Sequence, residues 1–259
     1  MLRHALVPID TASETEHAIR TATQFAAGYG SQITGLYVRE TCSIGHKDVQ
    51  VPQTPEEKAM GERQSKVLQM FRSQVEASKV DYHLDIECGD APEEIARASS
   101  IADIIVMAPP GGKLDLLESL VKNVPHPIIA VREQVDSISR LGVAFDGSRG
   151  SSRALGVAAD IVANWKQGAL ELVLIESSSA QDALAVEQAK RYLEIYAIKP
   201  RVVITKGTAA DSIVEACNAE DIDILCMGAF GTWSMKNMLL GSVSKQVLAK
   251  RKKPILMCH

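Results

Sequence analysis

The chain contains the same sequence pattern twice, and this repeat limits its fold more than any other feature does. Each copy begins with an apolar run that ends in Asp, at Asp10 in the first copy and at Asp146 in the second. Two further pairs of runs match in the same order, which favours duplication of one fold over chance similarity. The matched runs are Leu6–Asp10 with Leu141–Asp146, Ala102–Met107 with Ile222–Met227, and Pro127–Val131 with Pro254–Cys258.

Each copy alternates apolar, β-branched runs with amphipathic helical segments, which predicts parallel strands covered by helices on both faces. Right-handed crossovers then give two doubly wound, five-stranded α/β units. The predicted strands are 3–9, 32–38, 82–87, 103–107 and 127–131 in the first copy and 140–145, 169–175, 201–206, 223–227 and 254–258 in the second. The predicted helices are 14–28, 56–79, 91–100 and 114–123, followed by 150–165, 181–197, 209–219 and 242–251.

The predicted domains are residues 1–135 and 136–259, joined by a short polar linker near Glu133–Ser139. The spacing between the copies is shorter at the fourth strand, from Asp103 to Asp223, than at the first strand, from Asp10 to Asp146. The first copy therefore carries an insertion between these strands. We place this insertion at Glu40–Pro55, as a surface excursion or as a lid over the ligand crevice.

The composition limits the classes of partner. A net charge of −4 and a pI near 5.9 argue against an electrostatic nucleic-acid binder, and the basic run Lys250–Lys253 is interpreted as a solvated helix end. No apolar stretch is long enough to cross a membrane and no signal-peptide pattern is present, so we expect a cytoplasmic protein. The five cysteines lack metal-site spacing, and Cys226 and Cys258 are expected to be buried thiols without a redox or zinc role.

Glycines follow the fourth strand of the second copy and precede its last helix. Gly228 and Gly231 permit a tight turn, and Gly241 lets the start of the helix approach a ligand. The N–H groups of Ser242 and Val243, with the Ser242 hydroxyl, are suited to phosphate oxygens. In the alternative interpretation the glycines only close a turn and Ser242 only caps the helix.

The spacing G-x2-G-x9-G-S of Gly228, Gly231, Gly241 and Ser242 resembles the nucleotide loop of the universal stress protein family, and the resemblance covers nearly the whole chain. It implies a Rossmann-like, adenine-nucleotide α-hydrolase-like fold that binds ATP, with or without Mg2+, through its phosphates at this loop. It also implies that Asp146 lies by the ribose and adenine and that Ala144 lines the nucleoside pocket. The backbone of Ile175 is implied to meet the adenine edge, with Met227 packed beside it. The predicted cofactor-binding residues are Ala144, Asp146, Ile175, Met227, Gly228, Gly231, Gly241, Ser242, Val243 and Ser244. Lys236 and Trp233 are weaker candidates within the loop.

The first copy departs from this pattern. An alignment from the fifth strand backward puts Leu114–Asp115 where Gly241–Ser242 stands, whereas an ungapped alignment puts Val121–Lys122 there. Both alignments lose the motif, and Pro109 and Pro110 have no N–H to donate to a ligand. An Asp at the start of the helix repels phosphate, although it makes a good N-cap. We therefore expect no ATP binding of this kind in the first copy.

No catalytic or metal-binding constellation is visible. The histidines are scattered, the nucleophile elbow G-x-S-x-G is absent, and Ser148 and Ser151 are expected to begin a helix. A glycine cradle without an evident base binds a nucleotide better than it hydrolyses one. The sequence thus predicts an ATP-binding stress-response or regulatory protein with little or no hydrolysis, acting on an unidentified protein partner.

Two alternatives remain open: a structural or partner-binding module without nucleotide, and a slow ATPase or ATP-using enzyme, although the signatures S-G-G-x-D-S and H-x-G-H are absent. Single-domain members of that family commonly pair through their last strands. The resemblance therefore implies an internal pseudo-dimer with Pro127–Val131 against Pro254–Cys258, and a homodimer of whole chains stays open.

Overall fold

The computed structural model describes residues 2–39, 55–109, 114–177, 180–206, 208–229 and 240–259. These residues form ten strands and eight helices, which confirms the predicted alternation. The elements of the first repeat are β1 (His4–Ile9), α1 (Thr15–Tyr29), β2 (Gln32–Arg39), α2 (Pro55–Ala77), β3 (Tyr82–Cys88), α3 (Ala91–Ser99), β4 (Ile104–Met107), α4 (Asp115–Asn123) and β5 (Ile128–Ala130). Those of the second are β6 (Arg140–Phe145), α5 (Arg149–Asn164), β7 (Glu171–Ser177), α6 (Ala180–Ile195), β8 (Arg201–Thr205), α7 (Ala209–Ala219), β9 (Ile224–Gly228), α8 (Ser242–Lys250) and β10 (Ile255–Cys258).

The strands form one continuous sheet in the order β3-β2-β1-β4-β5-β10-β9-β6-β7-β8. Every neighbouring pair is parallel except β5 and β10, which pair antiparallel with Ile129 opposite Leu256. The two repeats are thus joined through their last strands, as predicted, and each half keeps the strand order of a doubly wound sheet.

Helices cover both faces of the sheet and bury two apolar cores. One face carries α1, α2, α5 and α6, with Phe25, Phe71 and Leu193 among the residues of that core. The other carries α3, α4, α7 and α8. Each core contains residues from both repeats, so the junction of the repeats is buried as deeply as their interiors.

An Asp at the start of the fourth strand of each repeat holds the first strand in place. Asp223 Oδ2 accepts hydrogen bonds from the N–H groups of Ser139 (2.8 Å) and Arg140 (3.0 Å) and from the Ser139 hydroxyl (3.0 Å). In the first repeat, Asp103 Oδ2 accepts from the N–H groups of Arg3 and His4. This shared clamp explains why both copies carry Asp at this position.

The linker differs from the predicted polar segment. Val135 and Ile138 are buried in the core under α1 and α5, and the Gln24 amide donates to the Asp136 carbonyl at 2.9 Å. The linker is therefore packed against the protein rather than solvated along its length. Of the predicted insertion, Pro55 begins α2, and the rest lies outside the described residues.

The basic run after α8 was wrongly interpreted as wholly solvated. Arg251 is 3% exposed, and its guanidinium donates to the Ile222 carbonyl at 2.6 Å. Burial lowers the pKa of Arg251. The neighbouring lysines remain at the surface, where Lys252 pairs with Glu133 and Lys253 with Asp221.

The buried thiols of Cys226 and Cys258 confirm their predicted place in the strands. Burial raises the pKa of Cys258 to about 12 and that of Cys217 to about 11, so both are protonated at neutral pH. Cys88, the last residue of β3, is disulfide-bonded, which the sequence analysis did not anticipate.

Candidate functional site

The carboxyl ends of β6, β7 and β9 lie side by side at one edge of the sheet. Ala144 pairs with Ile175 across β6 and β7, and β9 lies on the other side of β6. Ile175 and Met227 are buried, Ala144 is half-buried, and Asp146 is exposed just beyond β6. The tertiary structure therefore brings the predicted nucleoside-pocket residues to a single edge.

Gly228, the last residue of β9, lies against the start of α5. A Cβ atom at this position would lie 2.9 Å from the Gly150 carbonyl carbon and 3.0 Å from the Ser151 nitrogen. Because these are backbone atoms, a side chain here would force the strand and the helix apart. Gly228 thus allows close packing of the strand end, in addition to any contact with a ligand.

Among the residues that the structure describes, no side chain caps the start of α8. Its N-cap is Gly241, whose N–H donates to the Ala229 carbonyl at 3.0 Å, and the first helical residue is the exposed Ser242. The alternative in which Ser242 caps the helix is therefore wrong. The first turn carries no acidic residue, and the leading N–H groups of a helix have no partner within it. This end of α8 can accept an anion.

Ser244, in the same turn, is buried and has a different environment. Its hydroxyl donates to the Gly228 carbonyl at 3.0 Å and so ties α8 to the end of β9. The Lys245 ammonium lies 2.8 Å from Glu118 of α4, in the first repeat. Sequence reasoning missed Glu118, although Glu118 and Lys245 occupy equivalent positions when the copies are aligned on their last strands.

Asp146 lies in a tight turn between β6 and α5. Gly147 has φ +73°, and the Ser148 N–H donates to Asp146 Oδ1 at 3.0 Å. Although Asp146 is exposed, the surrounding protein partly desolvates its carboxyl and so raises its pKa; hydrogen bonds from Ser148 and Ser151 outweigh this effect and set the pKa below its usual value. The side chain is therefore an anionic hydrogen-bond acceptor at neutral pH.

Ser148 and Ser151 begin α5, as predicted. Ser148 is the N-cap, and its hydroxyl oxygen accepts a hydrogen bond from the Ser151 N–H at 3.3 Å. The Ser151 hydroxyl donates to the Ser148 carbonyl at 3.0 Å, so both hydroxyls are used in the turn that follows Asp146.

The corresponding region of the first repeat has a different chemistry. Helices α4 and α8 begin at Asp115 and Ser242, the two residues that the alignment made backward from the fifth strand treats as equivalent. The N-cap is Leu114 and not Asp115, so the predicted Asp cap is wrong. Asp115 and Glu118 both lie in the first turn of α4. The Asp115 carboxylate opposes binding of an anion there, whereas Glu118 is paired with Lys245.

Part of the predicted loop is not described. Gly231, Trp233 and Lys236 fall within residues 230–239, and Pro110 falls within residues 110–113, both outside the described residues. Among the residues that the structure covers, no group of three or more His, Cys, Asp or Glu side chains is placed to hold a metal ion. In the same part of the chain, no helix has the length and apolar character needed to span a membrane.

Comparisons with known proteins agree with this architecture. A universal stress protein from Synechocystis sp. is 28% identical over 145 residues, which are 54% of this chain and 49% of that protein. The chain spans about half the length of the curated relatives that it matches. A universal stress protein from Archaeoglobus fulgidus, 22% identical, has the same fold, with a TM-score of 0.76 over 98% of this chain and 97% of that chain.

A universal stress protein family protein from Arabidopsis thaliana, solved with AMP bound, is 15% identical and aligns with 52% of this chain and 95% of that chain at a TM-score of 0.37. The model of the universal stress protein family matches residues 1–132 and again residues 137–259. With both repeats matched, the chain belongs to the universal stress protein family as a tandem, two-repeat member.

Proposed function

We propose that the second repeat binds an adenine nucleotide, with ATP as the preferred ligand, and that the protein is a nucleotide-governed regulator of a stress response. The observation that carries the proposal is the start of α8. A glycine N-cap, an exposed Ser242 and a first turn without acidic residues lie at the carboxyl end of β9. This arrangement favours the phosphates of a nucleotide.

The phosphates are assigned to the N–H groups of Ser242 and Val243 and to the Ser242 hydroxyl. Gly228 and Gly241 keep side chains away from the backbone at both ends of the loop, and Gly231 is included from its place in the sequence motif. Ser244 is assigned a supporting role, since its hydroxyl is already bonded to the Gly228 carbonyl. Mg2+ is proposed only as the companion of ATP, without assigned protein ligands.

The nucleoside is assigned to the neighbouring strand ends. Asp146 is an anionic acceptor suited to the ribose hydroxyls, and the half-buried Ala144 supplies apolar surface for the nucleoside. The buried Met227 supports this surface from the same core as Ile175. The resemblance to the family assigns the backbone of Ile175 to the adenine edge, and the Ile175 side chain is buried in the core.

Binding without rapid hydrolysis follows from the same groups. Asp146 has a lowered pKa, and a carboxylate of that kind is a weak general base. The hydroxyls of Ser148 and Ser151 are engaged in the start of α5. We therefore propose that ATP governs conformation, assembly or a protein partner, with slow hydrolysis at most.

The first repeat is proposed to have lost this binding. Asp115 takes the position of Ser242 and puts a carboxylate at the first helical residue, where it repels phosphate. One nucleotide per chain is the expected stoichiometry.

The test is calorimetric titration of the full chain with ATP. Ser242→Asp, which places the first repeat's residue in the second, should weaken binding by at least about tenfold, because the carboxylate repels the phosphates. Ser137→Asp adds the same charge at an exposed linker position and should leave the affinity unchanged. Gly228→Val is a poor probe, since its side chain would meet the backbone of Gly150 and Ser151.

Three results would contradict the proposal. Two nucleotides per chain would show that the first repeat binds as well. If Ser242→Asp and the unchanged chain bind ATP with equal affinity, the phosphates do not lie at the start of α8. Absence of binding at millimolar ATP would favour a module that acts through protein contacts alone.

A further inference from the structure

The junction of the repeats has an internal two-fold relation. Pro127 and Pro254 precede the last strands at equivalent positions, and the pairing of these strands sets Ile255 against Ala130, Leu256 against Ile129 and Met257 against Ile128. In this alignment Ile129 and Leu256 are equivalent residues that face each other, so the two-fold axis passes between them. Any other residue facing its own equivalent must lie near this axis.

Glu118 and Lys245 are such a pair. They are equivalent in the alignment of the last strands, each is the fourth residue of its helix, and they form an ion pair at 2.8 Å between α4 and α8. The side chains are 23% and 42% exposed, respectively. If two first repeats were paired in this way, Glu118 would face a second Glu118, and two second repeats would place Lys245 against Lys245.

The other face of the sheet carries a second complementary contact. A Cβ atom on Gly28 of α1 would lie 2.2 Å from the indole ring of Trp165, which follows α5. When the copies are aligned on their first strands, Asp10 with Asp146, the equivalent of Gly28 is Asn164. Two second repeats would therefore direct Trp165 onto an asparagine side chain instead of a glycine.

A hydrogen bond beside this contact also joins residues that have no chemical counterpart in the other repeat. The Tyr29 hydroxyl donates to Asp160 Oδ2 at 2.5 Å and accepts from the Leu2 N–H at 3.0 Å. In the same alignment of the first strands, the equivalents of Tyr29 and Asp160 are Trp165 and Gln24. The equivalent pair on the other side of the axis, Trp165 with Gln24, therefore has neither a phenol nor a carboxylate.

We infer that the surface between the repeats is specific for the unlike half: it accepts the other repeat of this chain and rejects a second copy of the same repeat. The selection combines an opposite-charge pair on one face of the sheet with a bulky ring against glycine on the other. It does not depend on nucleotide binding. Complementary and repulsive contacts together are the usual basis of pairing specificity.

The first test uses charge variants of the full chain, which recreate the rejected pairs. Glu118→Lys presents lysine to Lys245, and Lys245→Glu presents glutamate to Glu118. Each variant should lower the Tm. We expect a loss of about 2–4 °C for Glu118→Lys, because this change removes the ion pair, sets two lysines against each other and puts a positive charge in the first turn of α4. The double swap should recover most of the Tm, because the helix-dipole effects at α4 and α8 then cancel.

Glu133→Lys is the matched control. Glu133 forms an ion pair with Lys252 that also crosses the junction, but the two residues are not equivalent and their side chains are 51% and 70% exposed. This variant should change the Tm by less than about 1 °C. Equal Tm losses for Glu133→Lys and Glu118→Lys, or a double swap as unstable as the sum of its single variants, would overturn the inference.

The second test addresses the ring contact. Gly28→Asn introduces the residue of the second repeat and should lower the Tm by roughly 5 °C through overpacking against Trp165. Helix propensity does not explain such a loss, because asparagine favours a helix slightly more than glycine does. In a Trp165→Ala chain the same change should be nearly neutral. A loss of equal size in both backgrounds would contradict the proposed contact.

Discussion

Asp223 shows how one side chain holds two distant segments together. Its carboxylate accepts hydrogen bonds from two backbone N–H groups and one hydroxyl at the start of β6. Hydrogen bonds to a buried charged group contribute more than neutral ones. The repeated Asp was visible in the sequence, but its partners, Ser139 and Arg140, are far from it along the chain and became known only from the tertiary structure.

We expect Asp223→Asn to lower the free energy of unfolding by about 2–3 kcal/mol, because three hydrogen bonds to a charged oxygen become bonds to a neutral amide oxygen. The NH2 group would also replace the oxygen that lies 3.7 Å from the Lys253 ammonium. Urea denaturation of the apo chain provides the measurement. Asp221→Asn is the control, since Asp221 is 76% exposed, pairs with Lys253 at the surface and should have almost no effect. Similar losses for both variants would show that surface charge rather than the clamp matters.

At the scale of elements, the strands and helices could be predicted within a few residues, whereas the helix starts could not. Apolar period and length are local properties, which is why β9 and α8 were located from sequence. Cap geometry depends on backbone angles and on the preceding loop. Asp115 and Ser242 were therefore both considered as caps, and both are first helical residues.

The helices α5 and α8 should respond differently to loss of a serine hydroxyl. Ser148→Ala removes the side-chain cap of α5 and should cost about 1 kcal/mol of stability. Ser242→Ala removes no cap, so the free energy of unfolding without nucleotide should stay unchanged. Thermal and urea denaturation of both variants decide this point. A comparable loss in Ser242→Ala would mean that α8 is capped by its own serine and is less suited to an anion.

At the scale of the whole molecule, the repeats form one structural unit. The sheet runs through β5 and β10, and both apolar cores contain residues of each repeat. Unfolding of either repeat would expose the inner strand and apolar surface of the other. The two repeats are thus coupled by the same burial that stabilises each of them.

Calorimetry of the apo chain should therefore show a single cooperative transition, with equal calorimetric and van't Hoff enthalpies. Glu118→Lys should shift this transition without splitting it. Two resolved transitions, or a van't Hoff enthalpy near half the calorimetric value, would show that the repeats unfold independently and that their junction contributes little.

The sequence by itself determined the duplication, the α/β class, the alternation of strands and helices, the pairing of the last strands by resemblance, and the difference between the intact and altered loops. These are properties of local pattern and spacing. The tertiary structure decided what depends on distant contacts: the burial of Arg251, Val135 and Ile138, the bond between Ser244 and Gly228, and the pairing of Glu118 with Lys245. A residue's type limits its partners, but only the folded chain sets which of them lies within a few ångströms.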